Sequence, residues 1–112
     1  MSALVFNRRL FLEEKQKLAD GAGGYSESWV VLGTHWGAIR ADRGRVRGSG
    51  GVEVSTVPYR IVVRATAVDS PARPKPGQRF RDDTRIFSVE AVADNVPGPL
   101  FVTCYTKEEI AA

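Results

Sequence analysis

The chain has 112 residues, 16 basic and 13 acidic side chains and a formal net charge of +3, with 43% hydrophobic and 26% charged residues. This balance fits one globular domain with a small core. It excludes a disordered polyelectrolyte and gives too little charge for a dedicated DNA-binding domain. Cys104 is the only cysteine and His35 the only histidine, which excludes an internal disulfide and the multi-cysteine zinc sites. No apolar run approaches the roughly 20 residues that span a bilayer. The start, MSALVFNRRLFLEEK, sets its charges after a short apolar patch, the reverse of a secretory signal. The expectation is a protein made and kept in the cytoplasm until it joins something larger.

Four Gly/Pro stretches divide the chain: Asp20–Gly24, Gly44–Gly51, Pro71–Gly77 and Asp94–Pro99. Glycine permits positive φ and proline fixes φ while removing a donor, so these read as turns and loops. Residues 7–20 are ambiguous. Glu13 to Ala19 are all helix-tolerant and Asn7 could cap a helix, yet Leu10-Phe11-Leu12 is equally a strand centre. Residues 25–40 read as one long bent strand or two short ones, with Gly33 or Gly37 at a bulge. Val52–Val68 is the clearest strand, with Tyr59, Ile61 and Val63 on one face and Arg60, Val62 and Arg64 on the other. Pro58 predicts an edge position or a break just before it. Arg85–Val92 and Leu100–Tyr105 complete a set of short, regularly spaced strands, the pattern of a small barrel or sandwich.

These segments carry a resemblance. Arg9-Leu-Phe-Leu12, Asp20-Gly-Ala-Gly-Gly-Tyr25, Glu27-x-Trp29 and Trp36-Gly-Ala-Ile39 resemble the opening of the phage head–tail joining proteins, also called head-completion, stopper or head–tail adaptor proteins. Tyr59-Arg-Ile-Val-Val-Arg64 is similar to that family's central strand. Gly77-Gln-Arg-Phe80, Arg85–Val92 and Val102-Thr-Cys104 are similar to its later ones. The likeness covers roughly residues 8–105. Tyr59 stands where the family often has His, and residues 41–55 are unusually rich in Gly and Arg. That composition suits a high-GC bacterial genome, whether of a phage or of a gene transfer agent.

The resemblance implies an all-β fold: a small barrel or sandwich of about five to seven strands, with a long loop between the second and third long strands. It also moves residues 8–16 from helix to strand, and we take the strand reading. One domain over residues 1–112, with flexible ends at about 1–5 and 106–112, is expected. The resemblance further implies a sixfold or twelvefold ring, with a portal or adaptor protein above and a tail terminator or tail tube protein below. Packaged DNA would pass non-specifically through the channel, which the long loop would help to close. The protein would be part of the virion or phage-like particle, assembled in the bacterial cytoplasm, with no membrane partner.

Candidate chemistry is sparse. Asp20, Gly21, Gly23 and Gly24 read as a hairpin turn, since no Gly-Lys-Ser/Thr follows to make a phosphate loop. His35 lacks the partners that catalysis or a metal would need. Cys104, in a predicted strand, reads as a buried, inert thiol. Asp82-Asp83, flanked by Arg81 and Arg85, reads as a solvated turn rather than a paired-carboxylate site. Residues 73–77 read as a stiff surface loop. No enzyme activity, metal or cofactor is expected. The functional candidate is the loop carrying Arg40, Arg43, Arg45, Arg47, Gly48, Gly50 and Gly51. Its guanidinium forks suit phosphates or carboxylates, and a ring would multiply its charge. Trp29 and Trp36 serve either the core or a contact between subunits. The alternative is a nucleic-acid-binding barrel of OB or SH3 type, which predicts a basic face with interleaved exposed aromatics.

Overall fold

The computed structural model describes residues 4–41, 56–67 and 69–109. Six strands close into an antiparallel barrel: β1 (Arg8–Ala19), β2 (Tyr25–Ala41), β3 (Thr56–Arg64), β4 (Arg79–Asp82), β5 (Arg85–Asp94) and β6 (Phe101–Glu109). Around the barrel the order is β1-β2-β3-β6-β5-β4. The expected all-β barrel is what the chain forms, and residues 8–19 are strand rather than helix. β6 runs to Glu109, so residues 106–109 belong to the sheet and are not a loose end.

Within the barrel wall alternate residues of the strands face inward, and most of these are apolar. Leu10, Leu12, Ile61, Val63, Phe80, Phe87, Val89, Val102 and Cys104 form the buried core, with Leu32, Ile39, Tyr59 and Val92 packed against it. Tyr59 meets Phe87 edge-on at 5.4 Å. Val62 and Ala38 are also buried, although they do not belong to this core cluster. Residues 4–7 run beside them: Phe6 stacks on Phe101 at 5.3 Å, Leu4 lines a cleft with Val62, and Val5 lines one with Ala38.

Residues 25–41 form one strand. Leu12 pairs with Gly33 and Glu13 with Val31, so the extra residue is Leu32, beside the first of the two glycines expected at a bulge. Gly33 is forced by a close approach: a Cβ there would lie 2.9 Å from that of Ala72. Pro58 does not break β3, which pairs with β6 throughout, Pro58 opposite Lys107. The β2–β3 ladder reaches only Tyr59 on that strand. The segment 73–77 is more than a surface loop, because Pro74 is fully buried and the backbone of Ala72 receives a side chain from β2.

Candidate functional site

The registers define two ends. At one lie Arg8, Ala41, Thr56, Glu109 and the β4–β5 turn. At the other, the β1–β2 hairpin projects, and residues 65–78 and 95–100 connect the remaining strands. The connection 42–55 leaves Ala41 and returns at Thr56, at the first end. Arg43, Arg45, Arg47, Gly48, Gly50 and Gly51 lie outside the described residues. Arg40 is described, and it stands directly opposite Arg60 across the β2–β3 ladder.

Cations gather at this end. A cleft of about 450 Å³ is lined by Val5, Arg8, Arg40, Tyr59 and Arg85, among others. Arg8 pairs with Asp82. The guanidinium of Arg85 donates to Glu108 at 2.7 and 3.2 Å and lies over the rings of Tyr59 and Phe87 at 5.4 and 4.9 Å. The hydrogen bond from Arg85 holds the Glu108 carboxyl below the usual carboxylate range. Asp82 and Asp83 therefore serve a turn, where Asp83 takes φ 56°, and Asp82 is spent on an ion pair.

The outer face of β4, β1 and β2 carries a buried carboxylate that sequence reasoning missed. Glu13 is 3% exposed and accepts from Arg79 at 2.7 Å and Arg81 at 2.8 Å. Burial pushes its carboxyl up, but the hydrogen bonds and charges of Arg81 and Arg79 outweigh that and hold it below the ordinary value. Arg79 stacks on Trp29 at 4.0 Å, and Arg81 on Phe11 at 5.1 Å. Trp36, on the same face, is 57% exposed. This is a surface of interleaved aromatics and arginines, yet Glu13 already occupies two of its cations.

His35, Cys104 and Asp20 are engaged by the fold itself. His35 is buried, and its Nε2 donates to the Ala72 carbonyl at 2.6 Å. Burial lowers its pKa, the Ala72 bond opposing. Cys104 is fully buried, and burial pushes its thiol up to about 12. Asp20 Oδ1 accepts from the backbone N–H groups of Ala22 and Gly24 at 2.8 and 3.0 Å, while Gly21 and Gly23 take φ of 80° and 86°. No cluster of three or more potential metal ligands exists among the described residues.

Beyond the barrel wall no third strand joins the hairpin among the described residues. β1 pairs with β4 only over Phe11–Glu13, and β2 with β3 only over Gly37–Ala41. The two strands nevertheless pair with each other out to Ala19 and Tyr25. From Glu14 to the tip they extend about 20 Å at strand rise. Tyr25, Leu18, Val31 and Val30 are exposed there.

A closed six-stranded barrel with a charged end and a projecting hairpin is consistent with many roles, and the comparisons decide among them. The model of the family described as phage head completion protein matches residues 1–109. The chain belongs to that family. It is a structural component of the head–tail connection. A solved structure, "Virion of native gene transfer agent (GTA) particle", contains a chain 40% identical to this one, with a TM-score of 0.76 and each chain covered in full. No curated protein matches the sequence.

Proposed function

We propose that this head completion protein is a non-enzymatic, single-domain ring subunit. It sits below the portal or an adaptor, docks the tail below, and turns its arginine-bearing end toward the DNA channel. Copies of the 42–55 connection then converge on the channel and retain the packaged DNA by non-specific contact with phosphates. The particle is a tailed phage or a gene transfer agent, assembled in the cytoplasm. The observation that carries the orientation is the root of the connection. Arg40 and Arg60 stand directly opposite each other, so two arginines sit side by side where the connection starts. Arg8 and Arg85 line the adjoining cleft, each already paired with a carboxylate, Asp82 and Glu108, so Arg40, Arg60 and the arginines of the connection carry the reading. Arginine suits this role because its planar fork meets phosphate without reading sequence.

The nucleic-acid-binding barrel predicts that the isolated monomer binds DNA through the aromatic face. Glu13 opposes this by engaging Arg79 and Arg81. The test is to delete residues 44–51 in the producing strain and measure nuclease-protected DNA in purified particles. Particles that still contain the protein but lose most of their protected DNA are expected. Full retention would remove the channel role.

A further inference from the structure

The β1–β2 hairpin has two open edges, and they are built differently. On β1 the edge beyond Glu13 reads Glu14-Lys15-Gln16-Lys17, and Lys15 also pairs with Glu27 at 3.0 Å. Charged side chains, lysine above all, are the common device that keeps an edge strand from pairing with another chain. On β2 the edge from Tyr25 to Leu32 holds one charge, Glu27, and then runs Ser28-Trp29-Val30-Val31-Leu32 without another. Val30 and Val31 are 37% and 47% exposed and Tyr25 is 72% exposed. Val30 and Val31 point to opposite faces because successive side chains alternate. Among the described residues no strand pairs with β2 between Tyr25 and Trp36 except β1. The β2–β3 ladder begins at Gly37 and occupies the edge from there on.

We propose that the β2 edge over Tyr25–Leu32 is a strand-addition site, which takes an extended, largely uncharged segment of a different protein of the particle as an added strand. Main-chain hydrogen bonds would supply the affinity, and the exposed apolar side chains on both faces would select alternating apolar residues in the partner. Charge selects the occupant. Among the described residues the longer open edges are β1 beyond Glu13, screened by Glu14, Lys15 and Lys17, and β5 beyond Val89, which begins at Glu90 and ends at Asp94; β3 adds only Thr56–Pro58, where Pro58 has no N–H to give. Either of the longer edges, supplied by a second copy, would set charges beside Val30 and Val31. A β2 edge paired with another β2 edge makes a closed twofold pair, which does not propagate around a ring. The inference rests on the proposed place of the chain in a connector.

The test uses whole particles. Val31→Lys and Val30→Lys place a charge on each face of the edge at exposed positions. Each variant is expected to keep the wild-type melting temperature within a few degrees yet enter particles at least tenfold less. A photo-crosslinking phenylalanine analogue at position 25 is expected to join the edge to a segment of another particle protein. Folded lysine variants that enter particles at the wild-type level would overturn the proposal. A crosslink only to a second copy of the chain would overturn it as well. The two readings fail separately: absence of the wild-type chain from particles refutes the connector itself. Normal entry of the lysine variants refutes only the edge site.

Discussion

The two halves of β1 and β2 follow opposite rules. Near Arg8 and Ala41 the strands are barrel wall, with Leu10 and Leu12 wholly buried and ladders on both sides. Beyond Glu13 and Leu32 the same strands form a ribbon with no core to face. A two-stranded ribbon alone is marginal in water. Its ladder is held by cross-strand contacts and the Asp20–Gly24 turn, while the barrel is held by burial. Stability is therefore concentrated in one half, and surface available for assembly in the other.

Substitutions in the barrel should cost most. Phe87→Ala removes a fully buried ring that packs against Tyr59 and should destabilise by about 3–5 kcal/mol, read by denaturant titration. Glu13→Ala leaves Arg79 and Arg81 without their shared carboxylate. A loss of about 2–3 kcal/mol is expected, because the Arg81 side chain keeps 35% of its exposure. At the ribbon tip, Gly23→Ala places a side chain at φ 86° and should cost about 1 kcal/mol. Val31→Lys should change stability by no more than about 0.5 kcal/mol. An equal cost for Phe87→Ala and Val31→Lys would erase the distinction between wall and ribbon.

Acid separates the groups in the same way. His35 is held neutral in the fold, with its pKa below the ordinary 6.5. The unfolded chain therefore takes up the proton first, and stability present above about pH 6.5 erodes as pH falls below it. Glu13 and Glu108 lie below their ordinary 4.5. Their contribution is intact above that value and is lost as pH falls through it. Melting temperature followed against pH should show both limbs, and His35→Gln should flatten only the upper one.

The barrel was legible where strands face the core. Ile61 and Val63 alternate with Arg60 and Arg64, and the β5 and β6 segments carry similar apolar patterns, so their strand character shows in the chain. Residues 14–19 were ambiguous for a physical reason. As a ribbon outside the barrel they need no buried face, so Glu14-Lys-Gln-Lys17 carries no period-two apolar signal and reads as helix-tolerant. The turn Asp20–Gly24 was readable because positive φ demands glycine. Glu13 was not readable as a buried charge, because its partners Arg79 and Arg81 lie 66 and 68 residues away. The Arg79-Phe80-Arg81 alternation marked a strand but named no carboxylate. The arginine cluster was visible, whereas the juxtaposition of Arg40 and Arg60 required the register.

The most direct test is electron microscopy of particles from the source organism with and without this gene. Loss of the gene should leave full heads without tails, or heads that have leaked their DNA, with complementation restoring tailed particles. Normal tailed, DNA-filled particles in the deletion strain would contradict the account.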